Sequence, residues 1–247
     1  MVVILVFVFG VGYTLSGQEG MAAPFGPSTS VTEWTRIYHS YAQKLKEQPP
    51  PGSAMTCDDV GVLVDHSHTL PSDFVPKDLV PLQNYGVPTL GSEVLRREAA
   101  ERLGRLVEDA AADGEELVVA SGYRSYEEQK LSHERLMSVF GEDAGRMSAT
   151  PGHSQHQLGT AVDFTNAAAG YQIWVPFSQT SAHWWLEYHA WEYGFVLAYP
   201  RGKEGQTGYH WEPWHYRYIG VENAKRLEES GLSLQAFLER EGIVPFC

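Results

Sequence analysis

Two short stretches in the second half of the chain combine histidine with carboxylate side chains. His156 precedes Asp163 by seven residues, and Glu212 precedes His215 by three, with Pro213 stiffening the turn between them. Zinc accepts imidazole nitrogen and carboxylate oxygen, and a catalytic zinc site keeps three protein ligands with one position open for water. The residue types therefore predict a zinc site of two histidines and one aspartate. The second carboxylate would then take a proton from water.

Each of these residues alone also has a simpler structural explanation. An aspartate before phenylalanine at a strand end is more often a hydrogen-bonding residue, and a histidine between aromatic residues is more often packed in the core. Only their joint occurrence favours metal chemistry. Other catalytic signatures are missing: the chain has no Gly-x-Ser-x-Gly, no Ser-x-x-Lys and no Gly-x-x-x-x-Gly-Lys. His133-Glu134 is followed by Met137 where a zincin helix has its second histidine.

Composition narrows the class of protein. The 247 residues are 43% hydrophobic and carry a net charge of −13, so the chain can bury a core and lacks the basic balance of a nucleic-acid-binding or anionic-membrane-binding surface. The two cysteines are too few for a disulfide scaffold or a cysteine-based zinc site. Cys57 and Cys247 are compatible with one long-range disulfide or with two free thiols.

The periodicity of apolar residues predicts helices and short strands without a regular βαβ alternation, which indicates an α+β domain. Capping boxes open two of the helices, at Ser30–Glu33 and at Ser125–Glu128. Residues 60–90 and 141–155 are expected to be loop-rich. The predicted helices are 31–48, about 92–113, 126–140, 181–193, 221–230 and 234–241, and the predicted strands are 117–120, 160–164, 195–199 and 216–219.

The N-terminal part of the chain differs from the rest. Residues 1–17 are apolar and too short for a membrane-spanning helix, which favours a signal peptide or N-terminal anchor over a buried strand, although no basic residue precedes Arg36. Residues 18–53 are predicted to be a linker with one amphipathic helix, and 54–247 to be the main domain. We therefore expect export to the cell envelope, periplasmic or extracellular, with membrane contact only through such an anchor.

Three motifs follow one another along the chain: Ser121-Gly-Tyr-Arg-Ser125-Tyr-Glu-Glu-Gln129, Pro151-Gly-His-Ser154-Gln-His156-Gln-Leu-Gly159-Thr-Ala161-Val-Asp163 and Tyr209-His-Trp-Glu212-Pro-Trp-His215-Tyr-Arg217-Tyr. In this order they closely resemble the D-alanyl-D-alanine carboxypeptidases of the VanY type (peptidase family M15B). This type belongs to the LAS metallopeptidases, which include lysostaphin, D-Ala-D-Ala peptidases and sonic hedgehog. The resemblance covers about residues 60–240. It implies a hedgehog-like zinc peptidase fold, a small antiparallel sheet flanked by helices.

The resemblance also implies roles for eight residues. The implied Zn²⁺ ligands are His156, Asp163 and His215. Glu212 is the implied general base, and Arg124 the group that stabilises the oxyanion or holds the substrate carbonyl. The residues implied to lie at the substrate are Ser154, Gln129 and Trp214.

The function implied by the resemblance is a zinc-dependent D,D-carboxypeptidase that removes the terminal D-alanine of peptidoglycan stem peptides. An L,D-carboxypeptidase, a D,D-dipeptidase or a peptidoglycan endopeptidase of the same fold are the alternatives, because the motifs do not determine specificity. From a different class, a non-catalytic peptidoglycan-binding module is also compatible with the fold. Retention of Glu212 and Arg124 argues against it, since a binder needs neither. A monomer is expected.

Overall fold

The structure is a computed structural model, and it describes residues 57–241. The predicted features that lie outside the described residues are the apolar stretch 1–17, the linker 18–53 with its helix and first capping box, and Cys247. The Cys57–Cys247 pairing and the domain boundaries therefore stay predictions.

In the described part of the chain, two short strands come before the first α-helix. Strand β1, Leu79–Pro81, pairs antiparallel with β2, Val94–Arg96, and helix α1, Arg97–Ala112, follows at once. The predicted helix start near residue 92 is wrong by five residues, because pairing with β1 draws 94–96 into an extended conformation. Strand β1 lies within the stretch expected to be loop-rich and is not among the predicted strands.

The central sheet has four antiparallel strands in the order β3-β4-β6-β5. All five residues of β4 are buried, as expected for an interior strand whose two faces are both covered. The small antiparallel sheet among helices confirms the predicted α+β class. The strands are β3 (Val118–Ser121), β4 (Ala161–Thr165), β5 (Phe195–Leu197) and β6 (His215–Tyr218).

Five further α-helices among residues 57–241 lie around the sheet. The capping box at the start of α2 is confirmed: Ser125 Oγ accepts from the Glu128 amide, and the Glu128 carboxylate accepts from the Ser125 amide. The predicted helix 181–193 is wrong at its end, because α3 stops at His189 and a 3₁₀ turn, Ala190–Tyr193, continues to Gly194. The helices are α2 (Tyr126–Phe140), α3 (Ser181–His189), α4 (Glu204–Thr207), α5 (Val221–Ser230) and α6 (Leu234–Arg240).

The apolar core covers one face of β4, and the side chains on the other face do not belong to it. Val162 and Phe164 belong to a buried apolar cluster together with residues of α1 such as Leu103. Successive side chains of a strand point to opposite faces, so Asp163 points away from this cluster. A second apolar cluster joins β5 to α5 and α6, with Val196, Leu227 and Phe237 among its members.

Within residues 57–241, none of the helices has the length and apolar character needed to cross a membrane.

Candidate active site

Three strands of the central sheet meet at Asp163. This residue pairs with His215 of β6 on one side and with Ser121 of β3 on the other. The register of β3 shifts between Val119 and Ser121, so a β-bulge lies directly beside the site. Bulges redirect side chains locally, and this one puts the Ser121 hydroxyl where it accepts from Arg124 Nη2 at 2.8 Å.

A short 3₁₀ turn, Gln155–Leu158, carries His156 to the same place. The turn ends at Gly159, whose φ of +66° is costly for other residues. A Cβ on Gly159 would also lie 2.8 Å from the side chain of Leu79 in β1. The Gly159 carbonyl accepts from the Arg96 amide, which fixes the turn against β2. Glycine is therefore required here by both backbone conformation and space.

The three predicted metal ligands converge. Asp163 Oδ2 lies 3.2 Å from His156 Nε2, and Asp163 Oδ1 lies 2.9 Å from His215 Nδ1. One ligand atom from each residue lies within 4.8 Å of the others, and each residue is at most 5% exposed. The two imidazole rings meet edge to face, with centroids 4.9 Å apart.

The hydrogen-bonding pattern of the two histidines fits a metal ion. His156 Nδ1 lies 2.6 Å from the Gly122 carbonyl while its Nε2 faces Asp163. His215 Nε2 lies 3.1 Å from Gln155 Oε1 while its Nδ1 faces Asp163. A neutral imidazole has one N–H and cannot donate to two acceptors. A cation between the two rings and the carboxylate would resolve this for both histidines, and two His and one Asp is a donor set that zinc accepts.

The protonation equilibria favour the ligand forms. Burial alone would raise the pKa of Asp163, but the neighbouring imidazoles of His156 and His215 hold that pKa well below its usual range. Burial lowers the pKa of His215, and the nearby carboxylate of Asp163 opposes this only in part. An ionised carboxylate and a neutral imidazole are the forms that bind metal.

Glu212 lies beside the three ligands. Its Oε2 is 3.9 Å from His215 Nδ1, its amide donates to the Tyr199 carbonyl, and its own carbonyl accepts from the His215 amide. Burial, followed by the negative charge of Asp163, raises the pKa of Glu212 well above the usual value, with Arg124 opposing the shift. Such a carboxylate is a stronger base than an exposed glutamate, which suits proton transfer.

Arg124 is held in place beside the cluster. It follows the bulged strand and precedes the capping box of α2. Its Nη1 donates to Gln129 Oε1 at 2.9 Å, and its Nη2 lies 3.9 Å from Asp163 Oδ2. With Ser121 as the partner of Nη2, the guanidinium has a fixed orientation at the edge of the site, as a preorganised electrostatic group requires.

All eight residues singled out in the sequence line one cavity of about 550 Å³. Ser154 is buried at its wall, and Trp214 is half-buried there while it packs against the main apolar cluster. Gln129 lines the cavity and bonds to other groups of the protein, and its contact with the substrate stays a prediction. Its Oε1 accepts from Arg124, and its Nε2 donates to Ser148 Oγ and to the Ala149 carbonyl, so both polar atoms are already used.

Some residues of the site were not predicted. Gln155 contacts His215, and the ring of Tyr199 stacks on the same imidazole, with centroids 5.0 Å apart. Tyr209 lines the cavity, and its buried hydroxyl has no partner among the described residues. Gln155 lies within the second motif, next to a ligand, but nothing in the spacing indicates contact with a histidine 60 residues away.

Comparison with known proteins agrees with this geometry. The profile of the family described as VanY, D-alanyl-D-alanine carboxypeptidase, matches residues 92–221. The chain belongs to the VanY family. This confirms the family resemblance and makes the chain a metallopeptidase-type hydrolase.

Relatives of this VanY-family chain cover most of its main domain. YodJ of Bacillus subtilis (strain 168) is 34% identical over 186 residues, which is 74% of this chain and 68% of YodJ. The structure of the LdcB LD-carboxypeptidase aligns at a TM-score of 0.68 with 35% identity, covering 74% of this chain and 87% of LdcB. The structure of a mutant of the vancomycin resistance D,D-pentapeptidase VanY, in complex with Zn(II), aligns at a TM-score of 0.61 with 30% identity. The alignment covers 72% of this chain and 98% of that VanY chain. These neighbours confirm the predicted fold.

Proposed function

We propose that this VanY-family chain is a zinc-dependent D,D-carboxypeptidase that removes the terminal D-alanine from peptidoglycan stem peptides. The observation that carries the proposal is the convergence of His156 Nε2 and His215 Nδ1 on Asp163, with Glu212 and Arg124 at the same cavity. The VanY complex with Zn(II) supports the choice of metal. Bound there, zinc would lower the pKa of a water molecule and polarise the scissile carbonyl.

The proton transfers in this proposal belong to Glu212. As a carboxylate with a raised pKa, it accepts a proton from the attacking water, and it then donates that proton to the amine of the departing D-alanine. Its position 3.9 Å from His215 keeps it near the metal ligands. The raised pKa serves both halves of this role, since the group must take up and release a proton in one turnover.

Arg124 is the proposed electrostatic group. The negative charge that develops on the carbonyl oxygen needs a donor whose orientation does not change during the reaction. Gln129 and Ser121 hold the Arg124 guanidinium in this way. Arginine remains charged at any working pH, so this stabilisation does not depend on a proton.

An L,D-carboxypeptidase is the second candidate, and one observation favours it. The alignment with LdcB has a higher TM-score and identity than that with the VanY zinc complex. Both activities use the same hydrolytic groups and differ in the substrate residue before the scissile bond. The residues that line the cavity around that substrate residue therefore determine which activity the chain has.

The products of hydrolysis test the proposal. The full-length protein, with zinc and after chelation, is incubated separately with a muramyl pentapeptide ending in D-Ala-D-Ala and with the corresponding tetrapeptide, and the products are analysed by mass spectrometry. Loss of one alanine from the pentapeptide, abolished by chelation, is the expected result. Cleavage of the tetrapeptide alone would assign L,D specificity, and release of a dipeptide would assign a dipeptidase. No cleavage with zinc bound would overturn the proposal.

We also propose that the chain is exported, because its proposed substrate lies in the cell wall. The apolar stretch 1–17 supports this proposal. Fusing residues 1–53 to a reporter that is active only outside the cytoplasm tests it, and a reporter retained in the cytoplasm would contradict it.

A further inference from the structure

The ring of His215 is fixed at both nitrogens. Its Nδ1 lies 2.9 Å from Asp163 Oδ1, and its Nε2 lies 3.1 Å from Gln155 Oε1. An amide oxygen can only accept a hydrogen bond, so the single proton of the neutral imidazole belongs on Nε2 when it faces Gln155. The lone pair of Nδ1 is then directed towards Asp163, where His156 Nε2 also points.

The two histidines are oriented by different kinds of acceptor. His156 donates its Nδ1–H to the backbone carbonyl of Gly122 at 2.6 Å, an acceptor that no side-chain substitution removes. His215 relies on a side chain, that of Gln155, which is 2% exposed. In metal sites, the partner at the second ring nitrogen selects the tautomer and the ring orientation of the ligand.

Gln155 and Tyr199 restrict different motions of the same ring. The Tyr199 ring stacks on His215 with an interplanar angle of 28°, which restrains tilting of the imidazole out of its plane. Stacking does not distinguish Nδ1 from Nε2, so it leaves the choice of nitrogen open. The hydrogen bond to Gln155 makes that choice.

We propose that Gln155 is a positioning residue of the metal site, which accepts the Nε2 proton of His215 and so keeps Nδ1 free for the metal. The 3₁₀ turn Gln155–Leu158 then has two tasks: it carries one ligand, His156, and the acceptor that orients another. This inference rests on the metal site of the proposed function.

The test measures zinc affinity of the full-length protein by competition with a chromogenic chelator. Gln155→Met removes the acceptor at nearly constant length, and the zinc dissociation constant is expected to rise about 10–100-fold. Gln155→Glu keeps an acceptor and has no donor in its ionised form, so it is expected to bind zinc at least as tightly as the wild type. If Gln155 served by its NH₂ group, the glutamate variant, which lacks that donor, would bind zinc more weakly, and this would overturn the proposal even if the methionine variant failed to fold.

Gln157→Met is the matched control. Gln157 lies in the same turn and is fully buried, but its amide donates to the carbonyl oxygen of Pro71. Its substitution removes a buried amide close to His156 without touching His215. The zinc affinity of this variant is expected to stay close to that of the wild type.

A second readout needs no metal. In zinc-free protein, ¹⁵N NMR of the His215 ring is expected to show the proton on Nε2 in the wild type and in Gln155→Glu, and a shifted tautomer ratio in Gln155→Met. Unchanged tautomer and zinc affinity in Gln155→Met would overturn the inference. A wild-type protein that fails to bind zinc would contradict the proposed function instead, so the two failures are distinguishable.

Discussion

Asp163 is the residue through which the other groups of the site are coupled. Its two carboxylate oxygens face His156 and His215, and Arg124 approaches the same side chain to 3.9 Å. Its negative charge also contributes to the raised pKa of Glu212. Asp163 therefore acts on metal binding and on the strength of the base at the same time, and its substitution would not separate the two.

Substitution of Glu212 does separate them. In Glu212→Gln the three ligands are intact, so zinc binding is expected to be retained, whereas kcat is expected to fall about 10²–10⁴-fold because proton transfer is lost. Metal analysis together with steady-state hydrolysis checks both parts. Glu192→Gln, at an exposed carboxyl of the 190–193 turn, is the matched control and should be fully active. Activity of Glu212→Gln near the wild-type level would remove Glu212 from the mechanism.

Gln129 is expected to act through Arg124. Gln129→Met removes the acceptor for Arg124 Nη1, so the guanidinium loses a fixed partner. We expect kcat to fall about 10-fold or more, but by less than the 10²–10³-fold that the loss of a whole oxyanion donor costs. Zinc affinity should not change, which is measured by the same chelator competition. Gln83→Met, at an exposed glutamine bonded to Thr89, is the control, and an equal loss of kcat there would contradict this role.

The capping box of α2 adjoins the strand-to-helix turn that contains Arg124. Ser125→Ala removes the acceptor for the Glu128 amide, and we expect a loss of about 1 kcal/mol in the free energy of unfolding at pH 7. Hydrogen bonds from Ser125 lower the pKa of Glu128 below its usual value of 4.5. These hydrogen bonds therefore contribute fully to the free energy of unfolding above pH 4.5, and the contribution is lost as the pH falls through the lowered pKa of Glu128.

Urea denaturation at several pH values checks this expectation. The difference between wild type and Ser125→Ala should decrease as the solution is acidified below pH 4.5. Ser138→Ala is the matched control, because Ser138 lies near the other end of α2 and bonds only to the Arg135 carbonyl. A pH-independent difference would show that Glu128 does not take part.

Structure that depends on residues close together in the sequence is predictable from it, and structure that depends on distant residues is not. The capping box at Ser125 was predicted correctly because its donors and acceptors lie within four residues. The strand pair β1 and β2 was missed because each strand has three residues and its partner lies more than ten residues away. Without that partner, residues 94–96 have the composition of a helix start.

The residues of the site are predictable from the sequence, but the contacts between them are not. Spacing and residue types predicted a metal site with a neighbouring carboxylate, and the family resemblance identified which residues these are. The contact between Gln155 and His215 could not be predicted, because it depends on how the 3₁₀ turn meets β6 in three dimensions. The family resemblance places Gln129 at the substrate, which stays a prediction, whereas its hydrogen bonds to Ser148 and Ala149 are visible only in the fold.

Metal binding is expected to raise the free energy of unfolding of the whole molecule. Zinc at 100 times its dissociation constant stabilises a folded state that alone binds it by about 2.7 kcal/mol. For a chain of this size, that corresponds to a rise in Tm of roughly 5–10 °C. Differential scanning fluorimetry with zinc and then with excess chelator checks this. The His215→Ala variant should show no such rise, and an equal rise in that variant would place the stabilising metal elsewhere.

The strand register at Asp163 makes metal uptake a measure of correct folding. Asp163 and His215 face each other only because β4 and β6 pair as Ala161↔Arg217, Val162↔Tyr216 and Asp163↔His215. A slip of one residue turns every side chain of a strand to the opposite face, and it would bury Asp163 in the apolar cluster that now holds Val162 and Phe164. A misregistered molecule would have no zinc site. With the proposed zinc bound, the zinc content of a purified sample would therefore count the molecules whose central strands are paired as described.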